Sequence, residues 1–201
     1  MSPRKSGKRR MKRSRRSEKL LLAIGLLAVV VVVVTVFYVF GMNSTSTPAE
    51  KVRLQTSMGD IIIQLRDDRP ITTSNFKNLI EQGVYDGTIL HRVIADFMIQ
   101  GGDPTGTGYG DPLIPTIKDE LDDVNENRRG TIAMANTGQP NTGSSQFFIN
   151  VADNNYLDTK HSVFGTVISG MDVVNVISQV ATDANDKPLT DVTLTKAEII
   201  S

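Results

Sequence analysis

The 201-residue chain contains no cysteine, no tryptophan and only two histidines, His91 and His161. Without cysteine there is no disulfide, no thiolate metal ligand, no thiol nucleophile and no lipid-modified cysteine. Two histidines alone make a poor metal ligand set, so neither a metal nor a cofactor is expected. No Gly-x-Ser-x-Gly elbow accompanies them, which argues against a serine hydrolase. Gly106-Thr107-Gly108-Tyr109-Gly110 has glycines spaced like a phosphate loop but lacks the Lys-Ser/Thr that would follow. The acidic run Asp119-Glu120-Leu121-Asp122-Asp123 reads as solvated surface rather than a cation site.

Net charge is also lacking: 22 Lys/Arg balance 22 Asp/Glu. The balance conceals an asymmetry, because residues 1–19 hold ten of the basic residues against the single Glu18. The remaining residues carry 12 basic and 21 acidic groups, so the body is mildly acidic and offers no broad basic surface for nucleic acid. The basic tail abuts an uncharged run from Leu20 to Phe40. As a helix rising ~1.5 Å per residue this run spans ~30 Å, the thickness of a bilayer core. Val29 to Val34 is a poor helix former in water, but lipid offers the backbone no other partners. The run is too long for the apolar region of a signal peptide and ends in Phe37-Tyr38-Val39-Phe40, without small residues for cleavage. The expectation is a cytoplasmic tail at 1–19, a single-pass membrane anchor at 20–41 and a polar linker at 42–50, with residues 51–201 outside the membrane.

Lys51 to Thr56 and Ile61 to Leu65 read as strands joined at Ser57-Met58-Gly59-Asp60. Thr72 to Gln82 reads as a helix capped by Thr72 or Thr73, with Phe76, Leu79 and Ile80 on one face and Gly83 at its end. Short strands and turns follow to Gly165. Met171 to Val180 reads as a second helix with Val173, Val174 and Ile177 inward, and Val192 to Ile200 as a last strand. Many short strands with two helices make the domain mainly β, an antiparallel barrel.

Three stretches carry chemistry. Leu90-His91-Arg92-Val93-Ile94-Ala95-Asp96-Phe97-Met98-Ile99-Gln100-Gly101-Gly102-Asp103 sets a permanent charge and an amide among core-forming residues. An unpaired buried charge is costly, so Arg92 either snorkels to water or has a task. Met134-Ala135-Asn136-Thr137-Gly138-Gln139-Pro140-Asn141-Thr142-Gly143-Ser144-Ser145-Gln146-Phe147-Phe148-Ile149 is a turn-rich loop entering an aromatic strand. Tyr156-Leu157-Asp158-Thr159-Lys160-His161-Ser162-Val163-Phe164-Gly165 follows. In this order and spacing the three resemble the cyclophilin family of peptidyl-prolyl cis-trans isomerases, over residues 51–201.

That resemblance implies a closed eight-stranded antiparallel barrel capped by a helix at each end, with proline-containing segments of client proteins bound on its outer face. It implies Arg92 as the catalytic arginine and Gln100 as the glutamine that orients it and meets substrate. Phe97, Met98, Phe148 and Leu157 stand at positions lining the proline pocket, with His161 in its wall. Ala135 and Asn136 match the segment that pairs with substrate backbone, Gln146 a rim position, and Gly106 the turn beside the site. The sequence departs from the family pattern at Tyr156, where many eukaryotic members carry Trp, at Leu90, which replaces a common Phe, and in one extra residue near Gly138-Gln139. Tyr156 at a rim position implies weakened affinity for cyclosporin. The resemblance implies X-Pro isomerisation by a monomeric domain that assists folding, and the basic tail and apolar run place that assistance outside the cytoplasmic membrane. The alternative is a tethered Pro-peptide binding module or chaperone without physiological turnover.

Overall fold

The computed structural model describes residues 50–200, together with Gly25, Val31, Val32 and Thr35, which are helical. The expected basic tail, and most of the expected anchor and linker, lie outside the described residues. Among the described residues no helix is long and apolar enough to cross a membrane. The chain divides into two units, residues 1–47 and 48–201, and the fold below is that of the second.

Alternation sets the first hairpin. In β1 (Lys51–Thr56) and β2 (Gly59–Leu65), Val52, Leu54, Ile61, Ile63 and Leu65 are buried while the residues between them are less so. Thr56 pairs with Gly59, so the turn is Ser57-Met58 alone, two residues shorter than expected. The first helix, α1 (Pro70–Glu81), starts two residues before the expected Thr72 because Pro70 supplies a preset φ in its first turn. Neither Thr72 nor Thr73 is its cap. The carboxylate of Glu120, 48 residues away, accepts from the Ile71 and Thr72 N–H groups and the Thr72 hydroxyl at 2.7–3.0 Å. The acidic run is thereby accounted for: Glu120 caps a helix, Asp122 pairs with buried Arg69, and Asp119 accepts from the Asn141 N–H. The second helix, α2 (Met171–Ile177), ends before the expected Val180 and buries Val174 and Ile177. Gly170 precedes it at φ 88°, where a Cβ would stand 2.3 Å from the Asp60 carbonyl oxygen.

The remaining strands are β3 (Thr88–Ile89), β4 (Arg92–Ile94), β5 (Met98–Gly101), β6 (Thr131–Met134), β7 (Phe147–Asn150), β8 (Val163–Ser169) and β9 (Thr193–Ile200). They form one antiparallel sheet in the order β3-β9-β1-β2-β8-β6-β7-β5-β4. The expected closed eight-stranded barrel is therefore corrected to nine strands in a sheet whose ladder stops at β3 and β4. Only Leu90 and His91 separate those two edges in sequence. Three peptide steps reach ~11 Å at most. Nine flat strands ~4.8 Å apart would hold their edges ~38 Å apart. The sheet must curl, and the chain itself crosses the seam that hydrogen bonds leave open.

The hollow of the curl holds the core. Phe76 of α1 meets Tyr85, Phe147 and Phe164 at ring-centroid distances of 5.0–5.5 Å, and the Tyr85 hydroxyl donates to the Ser145 carbonyl at 3.0 Å. Burial drives the Tyr85 phenol well above its usual pKa, so it stays a donor.

Candidate active site

Strand parity resolves the mixed character of residues 90–103. Across β4, β5, β7 and β6, Val93, Ile99, Ile149 and Ile132 are register partners and belong to the inner core. The next positions along the same strands, Arg92, Gln100, Phe148 and Ala133, are partners on the other face. Opposed residues of an antiparallel pair share a face, so this second row lies side by side on the outside of the curl. The outer face is itself apolar: Met98, Ala133, Phe148 and Val163 are buried there, packed against Ile94, Phe97, Ala135 and Leu157. These strands are covered on both faces, which is why neither a simple alternation nor a helical period is legible.

A cavity of about 300 Å³ opens over this row, lined by Arg92, Phe97, Met98, Gln100, Ala135, Asn136, Gly138, Phe148, Leu157 and His161. Nine of these are sequence-predicted site residues; Gly138, in the extra-residue loop, is the addition. The Arg92 side chain is 42% exposed, so its charge bears little desolvation cost. Its Nε lies 3.4 Å from Asp186 Oδ2, and among the described residues neither Nη has a protein hydrogen-bond partner. Gln100, directly opposite Arg92, donates instead to Gln146 Oε1 at 2.9 Å, and Gln146 donates on to the Gly108 carbonyl at 3.0 Å. Gln100 Oε1, the one atom of this amide that could accept from the donor-only guanidinium, has no hydrogen bond to Arg92 here, so among the described residues the side-chain contact of Arg92 is the one to Asp186.

His161 forms one wall. Its Nδ1 lies 3.0 Å from the Met134 carbonyl oxygen, which can only accept, so Nδ1 carries the hydrogen. The ring meets Phe148 edge-on at 5.3 Å. Burial holds the imidazole below its ordinary 6.5, against the opposing pull of the Met134 carbonyl, so it is neutral at physiological pH. Asn136 Nδ2 donates to the Lys160 carbonyl at 2.7 Å, fastening the 134–138 segment to the 156–161 loop. The Ala135 N–H is taken by the Gln146 carbonyl. Among the described residues the backbone N–H and C=O of Asn136 have no partner, so they remain available to an extended peptide.

Three expected site residues stand apart from the lining of this cavity: Gln146, which lines an adjoining one, Tyr156 and Gly106. Tyr156 is 67% exposed and stacks on Phe97 with ring centroids 6.2 Å apart, which makes it an outer rim. Gly106 packs against Ile89 instead. Gly108, Tyr109 and Gly110 line an adjoining cavity of about 140 Å³ that shares Gln100, Ala135 and Asn136 with the first. The phosphate-loop likeness of this glycine run has an internal explanation. Its backbone N–H groups do bind an anion, the fully buried Asp103 carboxylate, which accepts from Thr105, Gly108 and Gly110 at 2.7–3.2 Å. Burial pushes the Asp103 pKa up, but these donors outweigh it and hold the group below the usual carboxylate range.

Sequence reasoning missed the supports of the site. Asn125, Asn127, Asn150 and Asn154 are buried. Asn125 Nδ2 donates to the Asp158 and His161 carbonyls at 2.6 and 2.9 Å, and Asn154 Nδ2 to the Phe97 carbonyl at 2.9 Å. They hold the segments bearing Leu157, His161 and Phe97 against the sheet. The only cue was asparagine in turn-rich sequence, which reads equally well as exposed loop.

With this geometry in place, comparison with known proteins decides the family. The profile described as "Cyclophilin type peptidyl-prolyl cis-trans isomerase/CLD" matches residues 51–199. The chain belongs to the cyclophilin family. The cyclophilin domain is 48% identical over 150 residues to peptidyl-prolyl cis-trans isomerase ppi1 of Schizosaccharomyces pombe, covering 73% of this chain and 96% of that protein. It is 47% identical to peptidyl-prolyl cis-trans isomerase-like 1 of Homo sapiens, covering 73% of this chain and 90% of that protein. The crystal structure of a cyclophilin type isomerase from Cryptosporidium parvum, in the presence of the dipeptide Ala-Pro, superposes with a TM-score of 0.71 at 34% identity, over 75% of this chain and 99% of that one. The protein is a peptidyl-prolyl cis-trans isomerase of cyclophilin type.

Proposed function

We propose that this cyclophilin is membrane-anchored, that it accelerates rotation about X-Pro bonds of proteins outside the cytoplasmic membrane, and that Arg92 supplies the chemistry. Uncatalysed rotation of a peptide bond faces a barrier of ~18–20 kcal/mol, because resonance gives the C–N bond partial double-bond character. At the twisted midpoint that resonance is lost and the prolyl nitrogen regains a lone pair. A donor placed against that nitrogen stabilises the transition state and neither ground state. The observation that carries this reading is an exposed guanidinium at the edge of a cavity lined in part by Phe97, Met98, Phe148 and Leu157, its Nη donors unpartnered among the described residues. Phe97, Met98, Phe148 and Leu157 provide apolar surface for the proline ring, and Asn136 provides backbone groups for the chain on either side of it.

A charged hydrogen bond contributes ~1.5–3 kcal/mol, and ~1.4 kcal/mol is tenfold in rate. Arg92→Ala is therefore expected to lower kcat/KM for an X-Pro peptide by about a hundredfold while the protein stays folded. A folded Arg92→Ala variant with most of its activity would refute this role. The placement outside the membrane rests on the uncharged run from Leu20 to Phe40 behind a basic tail. Weakened cyclosporin binding rests on Tyr156, whose small exposed ring offers no indole N–H.

A further inference from the structure

Arg92 has five N–H donors on a long side chain, and it needs an anchor if its Nη groups are to be held over the cavity. Among the described residues the side chain that engages it is Asp186, through Nε at 3.4 Å. Asp186 comes from the 182–188 turn, far from the three motifs in sequence, and its placement is built rather than incidental. Its backbone carbonyl accepts from the N–H of Val93, the residue after Arg92, at 2.8 Å, which pins the turn along the free edge of β4. Its φ is 63°, a left-handed conformation that Asp tolerates better than most residues. The turn is closed from inside: the Asp183 carboxylate accepts from the Asn185 and Lys187 N–H groups at 2.8 and 2.9 Å, and Thr182 bridges to Pro188.

We infer that Asp186 is a positioning residue that holds the Arg92 guanidinium by Nε and leaves both Nη donors for the twisting amide. The inference rests on the role proposed above for Arg92. Both partners are more than two-fifths exposed, so the pair adds little to folding stability. Its effect falls on the orientation of a donor that the transition state alone uses, hence on kcat and not on KM.

The test is a double-mutant cycle on the full chain in detergent, with Asp186→Gly, Asp186→Asn and Arg92→Ala assayed on an X-Pro peptide. Glycine accepts the left-handed φ and keeps the carbonyl that meets Val93, so it removes only the carboxylate. Asp186→Gly is expected to lower kcat about two- to fivefold, the scale of an exposed ion pair, with KM unchanged. Asp186→Asn restores an acceptor in the same place and is expected to recover part of the loss. In the Arg92→Ala background Asp186→Gly is expected to have no further effect. Wild-type kcat in Asp186→Gly, beside a crippled Arg92→Ala, overturns the positioning role alone. An equal loss in both backgrounds also overturns it, because the turn would then act on the fold and not through Arg92. Full activity in Arg92→Ala overturns both readings.

Discussion

His91 is buried beside the site and His161 half-buried in its wall, and burial lowers the pKa of each from the ordinary 6.5. The unfolded chain therefore takes up protons first as the solution is acidified. The stabilisation from keeping the rings neutral is complete above pH 6.5 and is lost as pH falls from there towards the folded-state values. Asp68 and Asp103 are depressed too, but from an ordinary 3.8, so their contributions are lost only in stronger acid. The melting temperature is expected to fall between pH 7 and 5 for this reason; a flat profile in a thermal-shift series would show that the rings are not held neutral. Turnover is expected to be level from pH 7 to 9, since Arg92 does not titrate and His161 is already neutral, and a steep limb in kcat would reveal an acid or base so far unassigned. At Tyr156 the expectation concerns a drug and not the reaction. The residue stacks on Phe97 outside the cavity lining, so Tyr156→Trp is expected to tighten cyclosporin about tenfold to a hundredfold with little change in peptide turnover. Equal inhibition constants for the two proteins would end that proposal.

Among the elements, α1 and β4 show how distant residues complete local structure. The sequence places a helix after Pro70 but not its cap, because a carboxylate 48 residues downstream replaces the side chain a local rule would look for. Glu120→Ala is expected to cost about 1 kcal/mol and to lower the melting temperature by about 2–4 °C. Activity measured well below melting is expected to be unchanged, since Glu120 lies outside the cavity lining. If the melting temperature does not move, solvent replaces the carboxylate and the cap is not a stabilising one. β4 is a three-residue edge strand, and its outer backbone is covered by the 182–188 turn through the bond from Val93 to Asp186. That turn is an Asp- and Pro-containing loop in sequence, with nothing local to mark it as part of a catalytic apparatus.

At the scale of the whole molecule, the anchor and the domain have separate tests. The full chain is expected to stay with membranes through carbonate and high-salt washing, and protease added to spheroplasts is expected to cut between residues 42 and 50 and release an active isomerase. Recovery of the full chain in the wash, or a mature N-terminus beyond residue 40, would contradict an uncleaved span. The sequence by itself determined the family, the outer-face residues Arg92, Phe97, Met98, Phe148, Leu157 and His161, and the alternation of the first hairpin. These are legible because a pocket built from neighbouring strands keeps its residues in short contiguous motifs. Only the tertiary structure decided that nine strands curl without a closed ladder, since closure depends on which edges meet and not on any strand's own pattern. It also decided that Arg92 donates to Asp186 and Gln100 to Gln146, and that Glu120 and Asp103 satisfy the helix start and the glycine loop. Each of those is a polar contact between segments brought together by the curl, and the hydrogen-bonding capacity of an Asp, Glu or Gln leaves no periodic trace from which its partner can be read.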